Sequence, residues 1–234
     1  MNIWIIGASS GIGAALHEQL LQAGHQVYTA SRRPALLQSA GHLRWDAASG
    51  QTPDTSFLPA VLHGLVYCPG SINLKPFIRL SAEDFLKDYR VNVLGAVASL
   101  QAAHRHLKAA QSEGGASVVL YSTVAVGMGM SAHASVAAAK GGVEGLCRSV
   151  AAEWASSNIR VNAIAPSLTD TPLAGNLLAT PEKREASSKR HPLGRVGTAQ
   201  ELASITKFLL SPEASWMSGQ ILHADGGMSS LKML

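Results

Sequence analysis

The stretch Ile3-Trp4-Ile5-Ile6-Gly7-Ala8-Ser9-Ser10-Gly11-Ile12-Gly13 decides how the rest of the chain is read. Residues 3 to 6 are an uninterrupted apolar run, the pattern of a strand covered on both faces of a parallel sheet. Gly7 ends the run. Ala14 to Ala23 then carry helical periodicity, with Gly24 placed to cap the far end. Gly7, Gly11 and Gly13 therefore stand between a strand and a helix. Side chains at these positions would keep a phosphate away from backbone N–H groups and from the helix N-terminus. The loop, with Ser9, Ser10 and Ile12 between its glycines, accordingly reads as a dinucleotide-binding loop.

Working outward, the 234 residues suit one α/β domain spanning 1–234, with no Pro/Gly/Ser linker or charge run to divide it. A hydrophobic share of 47% with 15% charged residues excludes a disordered chain. The net charge of +4 comes from scattered basic residues, and no nucleic-acid recognition motif is present, so the balance points to an anionic dinucleotide and not to nucleic acid. No signal peptide and no apolar run of membrane-spanning length stands out. Cys68 and Cys147 read as buried thiols at a strand end and in a helix. The expectation is a cytoplasmic protein without disulfide, metal site or membrane contact.

Gln26 to Ala30 reads as a second strand, ending at Ser31-Arg32-Arg33-Pro34. An acid at this tip holds the adenosine ribose in nucleotide-binding sheets, whereas an arginine accommodates a 2′-phosphate. The tip has no acid, so Arg32 and Arg33 favour NADP(H) over NAD(H), because a guanidinium meets phosphate with a planar fork of donors; a solvated basic turn is the competing reading. Further strands are expected at Leu43–Asp46, Gly64–Tyr67, Ala116–Tyr121, Arg160–Pro166 and Gly219–Gly227, with helices opening at Ser81 and spanning Ala199–Leu210. The alternation predicts an α/β, doubly wound parallel sheet with ligands at the carboxyl ends of its strands.

The Gly-x3-Gly-x-Gly spacing, Val91-Asn92-Val93-Leu94-Gly95, Lys140, the run Arg160 to Pro166 and the closing Asp225-Gly226-Gly227 together resemble the short-chain dehydrogenase/reductase family over nearly the whole chain. The resemblance implies a Rossmann fold, NADP(H)-dependent hydride transfer with a small-molecule carbonyl or alcohol, and a homotetramer or homodimer. It implies Asp46 near the adenine and Gly70 where backbone passes close to the cofactor. It also implies Asn92 holding a water in a proton relay, Lys140 on the nicotinamide ribose, Pro166 and Thr171 beside the nicotinamide amide or pyrophosphate, and a substrate lid over residues 172 to 198.

The chain departs from the family at the chemistry. Counting back from Lys140, the family's tyrosine falls on position 136 and its carbonyl-polarising serine on 123, where this chain has Val136 and Thr123, with Ser122 alongside. Positions 136 and 140 lie one helical turn apart, and a valine has no proton to give. Ser167 stands at a position that is usually glycine, and Cys68-Pro69-Gly70 stands where the family shows Asn-Asn-Ala-Gly. Substitute proton donors are His133, Ser131, Ser135, Ser122 or water, most of them in a mobile-looking loop from Gly127 to Ser135. Losing a positioned acid costs about 10²–10⁴-fold in rate, so an NADPH-binding pseudoenzyme, either a sensor or a partner of an active relative, is the alternative reading.

Overall fold

A computed structural model describes residues 1–34 and 38–232. Seven strands form one parallel sheet: β1 (Asn2–Ile6), β2 (Gln26–Ser31), β3 (Gly41–Arg44), β4 (Gly64–Tyr67), β5 (Ala116–Tyr121), β6 (Ile159–Pro166) and, after a later pair of short strands, β9 (Ile221–Ala224). Their order is β3-β2-β1-β4-β5-β6-β9. The chain builds outward from β1 to β3 and then returns to lay β4 on the other side of β1. The order therefore reverses between β1 and β4, where a crevice opens at the carboxyl ends of the strands.

Helices cover both faces: α1 (Gly11–Gln22), α2 (Ala82–Tyr89), α3 (Gly95–Lys108), the short α4 (Ala125–Met128), α5 (Ala134–Trp154), α6 (Pro181–Ser188) and α7 (Ala199–Leu210). The period of two along β1 sorts its side chains. Ile3 and Ile5 join Leu16 and Leu20 of α1 and Leu202 and Leu209 of α7, while Trp4 and Ile6 join Leu100 and Leu107 of α3 and Cys147 of α5. Ile3, Trp4, Ile5 and Ile6 are each at most 1% exposed, as the unbroken apolar run requires.

Local chemistry sets the element ends. Ser81 caps α2 by accepting from Asp84 N–H, while the Asp84 carboxylate returns to Ser81 N–H; Thr198 and Glu201 repeat the arrangement at α7. Two strand expectations need correction. The third strand is Gly41–Arg44, because Asp46 leaves the ladder to accept from Ala48 N–H at 3.0 Å and close a turn. The last strand is only Ile221–Ala224, because the Asp225 carboxylate accepts from Gly227 N–H and Ser229 N–H, each at 2.9 Å, and folds the Asp-Gly-Gly segment into a turn. The segment expected as a loop from Gly127 also begins within helix, since α4 runs to Met128. Short strands β7 (Thr169–Asp170) and β8 (Gly197–Thr198) pair to tie the two ends of the expected lid together.

Between α2 and α3, residues Arg90–Leu94 form a π-helical turn, and Gly95 then packs where a Cβ would lie 2.2 Å from Tyr67 Oη and 2.5 Å from Ala47 O. Tyr67 Oη in turn donates to Val91 O at 2.5 Å. Gly95→Ala must displace this buried contact, and is expected to cost about 1–3 kcal/mol in chemical denaturation with the native circular dichroism retained. An unchanged midpoint would show that the contact yields freely.

Candidate functional site

The crevice at the switch point is a cleft of about 580 Å³. Its floor is the loop between β1 and α1. Gly7 and Gly11 hold φ of +83° and +56°, and a Cβ on Gly13 would stand 2.4 Å from Gly7 O, so α1 reaches its start only with glycine there. Ser10 is the N-cap of α1, yet its side chain makes no capping bond, and the first turn carries no acid. The helix N-terminus and its free N–H groups thus remain available to an anion. Ser9, Ser10, Gly11, Ile12 and Gly13 all line the cleft.

At one end the cleft is bounded by Arg32, Trp45 and Asp46. Of the two arginines singled out by sequence, only Arg32 lines it. Arg33 contributes its backbone carbonyl, which accepts from Ser31 Oγ at 2.9 Å and is 3.0 Å from His42 Nε2. At the other end the cleft passes Gly70, Ser71 and Thr171 into a second, largely apolar pocket of about 250 Å³, which those three residues also line.

Thr123, Val136, Lys140 and Pro166 belong to this second pocket. Lys140 is 7% exposed, and its Nζ donates to Tyr121 O at 2.8 Å, at the end of β5. Burial pushes the Lys140 ammonium down to about 8, with Cys68 and Asp88 partly opposing. Burial also pushes the Cys68 thiol up to about 12, so this cysteine is an un-ionised wall residue. Asn92 sits fully buried in the π-helical turn. Its Nδ2 donates to Ser71 Oγ and Asp88 O, both at 2.8 Å, and its Oδ1 has no partner. That oxygen and Lys140 Nζ each lie 3.4 Å from where a Gly70 Cβ would be. A buried acceptor without a donor beside a buried ammonium is a place for a bridging water.

The two hydroxyls after β5 differ. Ser122 Oγ donates to Glu144 Oε1 at 2.7 Å and is thereby committed. Thr123 Oγ1 only accepts, from Ala125 N–H at 3.3 Å, so its own hydrogen is free for the pocket. Val136 is 7% exposed and presents an apolar wall one turn before Lys140. Sequence reasoning missed one pair in this pocket. His191 Nε2 lies 2.8 Å from Ser167 Oγ, and both residues line the wall. The only signal was Ser167 in place of glycine, since His191 lies in a segment that carries no motif.

A family model described as enoyl-(acyl carrier protein) reductase matches residues 56–229. A tropinone reductase homologue of Arabidopsis thaliana is 35% identical, over 98% of this chain and 93% of its own. The chain belongs to the short-chain dehydrogenase/reductase family. Among solved structures, a candidate 2-deoxy-D-gluconate 3-dehydrogenase from Agrobacterium tumefaciens with bound NADP is 29% identical with a TM-score of 0.87, covering 98% of this chain and 96% of that one. A 3-ketoacyl-(acyl-carrier-protein) reductase from Brucella melitensis complexed with NADH is 23% identical with a TM-score of 0.84, covering 97% and 98%, and shares the fold. Among the described residues no helix is long and apolar enough to cross a membrane.

The burial of Lys140 has a measurable consequence. Its ammonium titrates near 8 in the folded chain against 10.5 ordinarily, so between these values the unfolded chain binds more protons and stability rises with pH. Below about pH 8 the folded state carries the full penalty of the buried charge. Urea unfolding of the wild type and Lys140→Met, compared at neutral pH and near pH 10, is expected to show the variant's relative stability falling by on the order of 3 kcal/mol over that window. An offset that does not change with pH would contradict it.

Proposed function

We propose that this chain is an NADP(H)-dependent oxidoreductase that transfers hydride between the nicotinamide and a small, largely apolar carbonyl or alcohol. The observation that carries the reading is the junction of two clefts at Gly70 and Thr171, with a glycine cradle and a helix N-terminus on one side and Thr123 and Lys140 on the other. The cradle fits the cofactor, because Gly13 excludes any side chain and Ser10 leaves the helix N-terminus uncapped. When bound, the nicotinamide supplies the hydride chemistry.

The protein's part is binding, orientation and proton handling. Gly7 to Gly13 hold the pyrophosphate, Asp46 bounds the adenine end, and Arg32 in the cleft favours the 2′-phosphate of NADP(H). Lys140 reaches the nicotinamide ribose while anchored on Tyr121 O. Thr123 directs its free hydroxyl hydrogen to the substrate oxygen, and Asn92 with its unpartnered Oδ1 holds a water between itself and Lys140. Ser122, bonded to Glu144, supports the end of β5 instead of touching substrate. Leu86 and Tyr89 on α2 and Leu94 just before α3 are each 44–47% exposed, which supports association of two or four copies.

A second reading, a nucleotide-binding pseudoenzyme, is favoured by Val136, which supplies no proton where the family's tyrosine stands. NADPH consumption against ketones, aldehydes and quinones, run on the wild type and on Val136→Tyr, separates the two. The oxidoreductase reading expects turnover by the wild type and a gain from tyrosine smaller than the roughly 10²–10⁴-fold of a positioned acid. NADPH binding with no turnover until the tyrosine is installed would establish the binding role.

A further inference from the structure

Val136 removes the proton source expected in the apolar pocket, and another pair lining the same pocket has the geometry to replace it. His191 is 4% exposed at the C-terminal side of α6. Its Nδ1 lies 2.9 Å from Ser187 O, and its Nε2 lies 2.8 Å from Ser167 Oγ. A carbonyl oxygen can only accept, so Nδ1 carries a hydrogen. The neutral ring then has its lone pair on Nε2, and the Ser167 hydroxyl donates to it. The turn at Gly226 passes close to the ring, since a Cβ there would stand 3.6 Å from His191 Cβ and 3.7 Å from Cδ2. Hydroxyl, imidazole and an orienting third group in one line is the arrangement that moves protons in enzyme sites. Ser167, His191, Thr123 and Lys140 line the same pocket.

We propose that Ser167 and His191 are the proton donor of this pocket, the imidazolium passing its proton through the Ser167 hydroxyl to the oxygen of the bound carbonyl compound. The inference rests on the oxidoreductase reading above. Protonation of Nε2 reverses the hydrogen bond: Nε2–H now donates to Ser167 Oγ, and the serine hydrogen turns into the pocket. As hydride from the reduced nicotinamide adds to the carbonyl carbon, the π pair of the C=O bond becomes an O–H bond with the proton from Ser167. Ser167 takes the proton of Nε2, and His191 is left neutral with Nδ1–H still on Ser187 O. Carbonyl compound, reduced nicotinamide and one proton give alcohol and oxidised nicotinamide, and solvent reprotonates the ring. The charged groups around the ring are the neighbouring Arg190, whose Nη2 donates to Ser187 Oγ at 3.1 Å, Lys140 in the same pocket, and Asp225 in the turn before Gly226, held by the Gly227 and Ser229 N–H groups.

The test follows NADPH oxidation with 4-nitrobenzaldehyde from about pH 5.5 to 8.5. It compares the wild type, His191→Gln and Ser167→Ala, each with and without Val136→Tyr. In the wild type kcat is expected to rise as pH falls across this range. Either single substitution is expected to abolish that dependence and lower kcat by on the order of 10²-fold at the acid end, with NADPH affinity unchanged. Val136→Tyr added to His191→Gln is expected to restore at least about tenfold of the loss, which damage to the lid would not permit. Nitrogen NMR of the imidazole without cofactor is expected to show the Nδ1–H tautomer at high pH. Turnover whose rate and pH profile neither substitution moves would overturn the inference and leave the oxidoreductase reading standing, as would the Nε2–H tautomer. Bound NADPH with no aldehyde reduction by the wild type, but reduction by Val136→Tyr, would overturn both.

Discussion

The architecture depends on one close approach, that of α1 to the end of β1. With Gly13 packed so that a Cβ would stand 2.4 Å from Gly7 O, the helix begins directly beneath the crevice between β1 and β4. Any side chain there would push the helix away and take its N–H groups out of reach of the cleft. Gly7 also lies against the turn after β4, where its Cβ position is 3.1 Å from Pro69 and 3.3 Å from Cys68. The two loops that flank the switch point are thereby packed against each other.

The second pocket inherits its position from the same sheet, since Tyr121 ends β5 and Pro166 ends β6. Lys140 reaches back from α5 to bond the Tyr121 carbonyl, so a charged group is held inside an apolar wall at a cost that its lowered titration reports. A phenol at position 136 would share that ammonium's field. Valine supplies no such group, and the question of the proton passes to Ser167 and His191, which line the same pocket.

The sheet was legible because its strands are buried on both faces and read as apolar runs: Gly64–Tyr67, Ala116–Tyr121 and the helix Ala199–Leu210 lie where the sequence places them. Boundaries shifted where a side chain took over from the ladder, as Asp46 and Asp225 do, because such turns depend on single hydrogen bonds that carry no periodicity. The glycine loop between β1 and α1 was legible from spacing. The separation of Arg32 from Arg33, the commitment of Ser122 to Glu144 and the meeting of Ser167 with His191 were not, because each depends on where two segments meet in space and not on any local pattern.

The central claim is that the crevice beside Gly7 to Gly13 is a dinucleotide site with a preference for the phosphorylated cofactor. Trp45 lines that crevice, so tryptophan quenching on titration with NADPH and with NADH reads it directly. The account predicts saturable binding of one NADPH per chain with micromolar or tighter affinity, and NADH weaker by at least about tenfold for want of the phosphate on Arg32. Absence of saturation by either nucleotide at millimolar concentration would contradict it.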